Sequence, residues 1–139
     1  MIKNYFTLFL LFTLFSALSA SSQIYKLDDG MVGRMPLAFE EGSFVKIQDS
    51  TLLLQINLAA FEPSVSEYII VQDQTKKHGD REIRTLRLLS KSDDNLRIHG
   101  TIVTGDSVRN TLSANSYDMS TQITTPYVIY IENHSDISQ

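Results

Sequence analysis

The chain has 139 residues, contains no cysteine, and carries a formal net charge of −4 from 12 basic and 16 acidic side chains. The lack of cysteine excludes thiol catalysis, thiolate metal sites and disulfides. The negative net charge argues against nonspecific binding of nucleic acid, because proteins with that function present a basic face.

The first 22 residues have the organisation of a secretory signal peptide. Lys3 supplies a positive end, residues 6–15 are almost wholly apolar, and small residues follow over 16–22. This pattern predicts cleavage near 19–22, after Ser19 or after Ser22. The alternative is an uncleaved membrane anchor, which the shortness of the apolar run disfavours, and no later segment is long and apolar enough to cross a membrane.

The predicted signal peptide indicates an exported protein, secreted or periplasmic, with the cell surface as a further location. Small exported domains of animals usually depend on disulfides. A chain without cysteine therefore fits a bacterial envelope better than animal extracellular fluid.

Residues 23–133 are predicted to form a single β-rich domain, followed by a polar tail over 134–139. Strand segments are indicated by apolar–polar alternation or by β-branched and aromatic content. In chain order they are 24–27, 44–48, 52–61, 68–72, 82–90, 96–104, 108–113 and 123–132. Turn or loop residues separate them at 28–30, 40–42, 49–50, 76–80 and 91–95. Seven to eight short strands at this spacing predict an all-β fold, either an antiparallel sandwich or a small barrel.

Residues 82–90 are ambiguous on composition alone. Their leucine, arginine and glutamate content suits a helix, but residues 83–88 also alternate as a strand does. The turn residues at 91–95 and the clear strand after them favour a hairpin, so we predict a strand here.

The last predicted strand, 123–132, is our candidate for partner binding. Exported β domains often offer an edge strand to a partner, and this strand lies near the chain terminus with apolar residues on both faces. The candidate residues are Tyr127, Val128, Ile129, Tyr130 and Ile131. They predict pairing with another protein or with a second copy of this chain.

A second candidate surface is a cluster of cations in and after the predicted loop at 76–80. Its members are Lys76, Lys77, Arg81, Arg84 and Arg87. A basic patch of this kind would fit an acidic partner, a glycan or an anionic surface. The alternative is a solvated hairpin whose charges are balanced by neighbouring acids, which we favour because Asp80 and Glu82 are interleaved with the cations.

No catalytic motif is present around any serine, and no histidine has a second ligand at metal spacing. We therefore predict no catalytic residues, no metal, no cofactor and no enzyme activity. The leading hypothesis is an exported β domain that binds another envelope or extracellular macromolecule. The alternatives are a structural subunit or accessory of a surface fibre or pilus, and a small hydrolase or metal-dependent enzyme that uses His78, His99 or His134.

Overall fold

The computed structural model describes residues 22–106 and 109–133, and all regular elements among them are β-strands. The all-β prediction is therefore confirmed. The strands are β1 (Ser22–Val32), β2 (Met35–Ala38), β3 (Phe44–Gln48), β4 (Thr51–Ile56), β5 (Ser64–His78), β6 (Arg81–Ser90), β7 (Leu96–Gly105), β8 (Thr111–Asp118) and β9 (Ile123–Asn133). The predicted signal peptide, apart from Ser22, and the predicted polar tail lie outside the described residues.

The strands form a closed antiparallel barrel, which decides between the two predicted architectures. From β3 to β9 each strand pairs with the next in sequence, and β9 pairs back with β1. Strand β1 pairs with β3 along its first half and with β2 along its second half. The barrel therefore consists of eight strands, and β2 is an additional short strand. The antiparallel up-and-down order allows short connections between successive strands.

The barrel closes where β1 passes close to β9. A β-bulge shifts the register of β1 against β9 between Leu27 and Gly30. Because of this bulge, Gly30 and Val32 face the interior of the barrel, as Leu27 does. A Cβ on Gly30 would lie 2.3 Å from the carbonyl oxygen of Val128, so only glycine permits this approach. The predicted turn at 28–30 is therefore wrong, because these residues belong to a bulged strand that pairs with β2 and β9.

Several predicted boundaries also change. Residues 82–90 form a strand as predicted, but the loop expected at 76–80 is reduced to a two-residue turn because β5 pairs with β6 as far as His78. Strand β4 ends at Ile56 and not at 61, and the strand expected at 108–113 is β8, which begins at Thr111. The turns predicted at 40–42, 49–50 and 91–95 are confirmed.

The two ends of the barrel differ in their connections. At the upper end lie the connections that join β1 to β2, β4 to β5, β6 to β7 and β8 to β9. The lower end carries the turns between β3 and β4 and between β5 and β6, together with the connection between β7 and β8.

Candidate functional site

The lower half of the barrel interior is filled by large apolar side chains. Paired residues on neighbouring strands face the same side of a sheet, so the register identifies the inward positions. Leu27 pairs with Ile131 on β9, and both are 3% exposed or less. Ile102 on β7 is 2% exposed. Large buried side chains therefore occupy the interior at this end.

The upper half of the interior is lined by smaller residues at four inward positions. They are Ser66 on β5, Gly100 on β7, and Ala114 and Ser116 on β8. Gly100 pairs with Ala114, so the neighbouring strands β7 and β8 both carry very small side chains at the same height in the barrel. The result is a cavity of about 200 Å³ inside the upper half of the barrel.

Apolar residues dominate the wall of this cavity. Leucine, isoleucine, valine, phenylalanine and alanine provide most of the lining, and no charged side chain belongs to it among the described residues. Its polar atoms are hydroxyl groups, from Ser66, Tyr68, Ser116 and Tyr127. Small-molecule sites have this composition, with an apolar wall and a few polar groups that orient the ligand.

Tyr68 is the more deeply buried of the two tyrosines that line the cavity. It is 8% exposed. Burial raises the pKa of its phenol, because the phenolate would lose its hydration. Hydrogen bonding to Ser66 lowers this pKa, and Tyr127 raises it. Tyr68 therefore remains a neutral hydroxyl near pH 7.

The cavity reaches solvent at the upper end. Lining residues close to that end, among them Val32 and Tyr127, are only half-buried. Beyond them three large apolar side chains are exposed at the rim: Met35 at 64%, Phe61 at 74% and Ile123 at 60%. A small apolar molecule would pass these side chains on its way in.

A polar cluster lies at the lower end of the barrel. Arg84 on β6 donates from Nε and Nη2 to the two carboxylate oxygens of Asp73 on β5, at 2.9 and 2.6 Å. Arg84 also donates to Oε1 of Gln23, which accepts a 3.2 Å bond from the hydroxyl of Tyr25. The hydrogen bond with Asp73 raises the pKa of Arg84, as expected for a two-pronged guanidinium–carboxylate pair.

The residues predicted for partner binding lie in β9, which has no free edge over most of its length. From Tyr127 onward it pairs with β1, and over 123–130 it pairs with β8. The expectation of a free terminal strand is therefore wrong, because pairing of distant segments closes the barrel at this point. Assembly of a fibre by pairing of β9 with another copy would first require β9 to separate from a neighbouring strand, β1 or β8.

The side chains of those five residues point in both directions. Tyr127, Ile129 and Ile131 face the interior. On the outer face Tyr130 is covered by the guanidinium of Arg109, 3.8 Å from the ring centroid, and Val128 is 42% exposed. The five do not form one binding surface, and whether Val128 contacts a partner stays a prediction.

The five residues of the predicted basic patch are also separated. Arg84 faces inward and binds Asp73. Lys77 lies opposite Glu82, on the same side of the hairpin as Arg84. The remaining three, Lys76, Arg81 and Arg87, are exposed on the outer side. The five residues therefore do not share one face, and whether the outer three bind an anionic partner stays a prediction.

Strand β5 has a free edge that the sequence did not indicate. Strand β4 pairs with it only as far as Ile69, because the turn after β3 ends that hairpin early. Within residues 22–106 and 109–133, no strand pairs with the other side of β5 from Val71 to His78. All eight residues of this segment are exposed.

Local sequence patterns do not identify the cavity residues, although the sequence contains one signal of them. Alternate residues of β7 face inward, and Leu96, Ile98 and Ile102 are apolar at these positions. Gly100 occupies the inward position between Ile98 and Ile102. A glycine at an inward position of a strand signals missing side-chain volume or a close backbone approach. Pairing with Ala114 completes the signal, but this pairing cannot be read from the sequence.

No group of three or more histidine, aspartate or glutamate side chains is placed to hold a metal ion in the part of the chain that the structure describes. In that same part, no helix is long and apolar enough to cross a membrane. In comparisons with protein-family models, curated proteins and solved structures, no match to the chain was found.

Proposed function

We propose that this chain binds a small, mostly apolar molecule in the upper half of its barrel. The observation that carries the proposal is the apolar cavity of about 200 Å³ that replaces a packed core there. Eight-stranded barrels have an interior that is either filled by side chains or holds one small ligand. Leaving such a cavity empty costs stability, so its presence needs a reason.

The size of the cavity limits the ligand. An apolar cavity of about 150 Å³ stays dry and accepts benzene, whereas sites for drug-sized ligands measure roughly 300–1,000 Å³. A volume of about 200 Å³ therefore suits one ring with a small substituent, or a short branched chain. The proposal joins the predicted export of the chain to a role in carrying or sensing such a molecule.

The experiment is a titration with benzene followed by amide and methyl chemical shifts. We expect signals of cavity residues such as Leu54, Leu88 and Gly100 to shift in a saturable way. In Gly100→Leu the new side chain occupies the cavity and the shifts should disappear. The matched control is His99→Leu, because the neighbouring side chain is exposed and faces outward, and it should keep wild-type binding.

Two results would decide against this function. One is a wild-type protein in which benzene shifts no cavity signal. The other is a Gly100→Leu variant that binds as well as wild type. If Gly100→Leu does not fold, Ala114→Leu fills the same cavity from β8 and takes its place.

A second candidate keeps the expectation of a macromolecular partner and is favoured by the free edge of β5. An extended segment of another protein can add to such an edge through backbone hydrogen bonds. Lys76 and Lys77 lie on this edge strand, and both are exposed, so an acidic segment complements it best. The same lysines disfavour pairing between two copies of this chain, since charged edges resist self-association.

A further inference from the structure

Hydroxyl groups line the cavity on opposite sides of the lumen. Ser66 and Tyr68 are two residues apart on β5, so both face the interior, and Tyr127 faces it from β9. Strands β5 and β9 are four positions apart in the eight-stranded barrel, which places them on opposite sides of the lumen.

Ser66 and Tyr68 present two neighbouring hydroxyl groups to the cavity from one strand. Each hydroxyl has one donor hydrogen and can also accept. Two such hydroxyls side by side therefore offer both donor and acceptor positions to a ligand oxygen. Tyr68 is only 8% exposed, and in an apolar enclosure a polar group gains from every partner it obtains.

The same wall discriminates against charged ligands. No charged side chain lines the cavity among the described residues, and an unpaired ion costs far more to bury than a neutral hydroxyl does. A ligand that satisfies this wall is neutral and has an apolar body with one hydrogen-bonding group.

We propose that Tyr68, together with Ser66, binds the single hydroxyl or carbonyl oxygen of a neutral, otherwise apolar ligand, and so determines which small molecules the barrel accepts. This inference rests on the proposed function and adds the chemical class of the ligand. Tyr68 is a specificity-determining residue in this account, and the rest of the wall contributes affinity without selection for an oxygen atom.

The test compares benzene with phenol, which differ by one hydroxyl, in wild type and in Tyr68→Phe. The quantity of interest is the ratio of the two dissociation constants, because the cost of desolvating phenol cancels when the ratio is compared between proteins. One net hydrogen bond corresponds to a change of roughly threefold to tenfold in affinity. We expect the preference for phenol to fall by this factor in Tyr68→Phe while benzene binds as before.

Two further variants complete the test. Ser66→Ala should lower the phenol preference in the same direction, and Tyr117→Phe, on an exposed tyrosine that does not line the cavity, should leave it unchanged. If both probes bind and the ratio is the same in wild type, Tyr68→Phe and Ser66→Ala, the inference is overturned and the proposed function stands. If neither probe binds wild type, both are overturned.

Discussion

Gly100 on β7 and Ala114 on β8 lie opposite each other at the height of the cavity, and a Cβ added to Gly100 would lie 3.9 Å from that of Ala114. This is ordinary van der Waals contact, so nothing in the backbone prevents a larger residue at position 100. The glycine is therefore not required for chain geometry. Its effect is to leave space inside the barrel.

Gly100→Ala should stabilise the protein by about 0.5–1 kcal/mol, because glycine in a strand interior loses more conformational freedom on folding than alanine does. Urea unfolding measures the difference. Gly79→Ala is the control, since Gly79 has φ +66° and alanine there is strained by about 1–2 kcal/mol. A loss of stability in Gly100→Ala would mean that the added methyl group meets a packed interior.

Gly30→Ala should have the opposite effect. Its Cβ would lie 2.3 Å from the Val128 carbonyl oxygen and 2.9 Å from the Ile129 Cα, so β1 and β9 must separate to admit it. Overpacking of this kind costs about 1–3 kcal/mol, measured as a lower urea midpoint and as faster amide exchange in the β1–β9 ladder. A variant as stable as wild type, with unchanged exchange in that ladder, would contradict closure at this point.

The polar cluster at the lower end should contribute more than an exposed ion pair. Arg84→Met removes a two-pronged bond to Asp73 from a side chain that is 17% exposed, and hydrogen bonds to charged groups contribute about 1.5–3 kcal/mol each when enclosed. The exposed fraction of Asp73 lowers this, so we expect a loss of about 1–2 kcal/mol.

Lys91→Met is the comparison for that variant. The Lys91–Glu67 pair spans 3.0 Å but both side chains are more than 40% exposed, so its loss should cost no more than about 0.5 kcal/mol. Equal losses in Arg84→Met and Lys91→Met would show that the lower-end cluster is an ordinary surface pair.

Alkaline pH should destabilise the fold through the enclosed tyrosines. Burial raises the pKa of Tyr25 and Tyr68 above their ordinary value, so the folded state binds these protons more tightly than the unfolded state does. The contribution is fully present below pH of about 10 and is lost as the pH rises through the folded pKa values. Unfolding free energies from pH 8 upward should therefore fall less steeply in Tyr68→Phe than in wild type, and identical slopes would refute the assignment.

The free edge of β5 is tested with an extended peptide of alternating glutamate and valine. Its addition should shift and protect the amides of residues 71–78. The double variant Lys76→Glu and Lys77→Glu should abolish the effect through like-charge repulsion. Amides that stay unchanged in wild type would remove this candidate.

Local patterns predicted the strands, because alternation and turn residues are properties of neighbouring positions. Strand β3 and strand β7 follow from alternation alone, and residues 82–90 follow from the turn after them. The sequence predicts a turn and not a bulge at Gly30, because Asp28-Asp29-Gly30 is typical of a turn. Only the pairing of these residues with β2 and β9 keeps them extended.

The candidate site depended on pairing between distant segments. The apolar character of β9 was recognised, but its edges are occupied by β1 and β8, which the sequence does not indicate. In the same way Gly100, Ala114 and Ser66 look unrelated in the sequence. They share one wall only after the barrel has closed.

The most direct test of the central claim is a crystal structure of this protein under xenon pressure, since xenon enters dry apolar cavities. We predict a xenon atom inside the upper half of the barrel, in contact with Leu54, Tyr68 and Gly100, and none in Gly100→Leu. An interior filled by side chains or by ordered water at that height, with no xenon, would contradict the account.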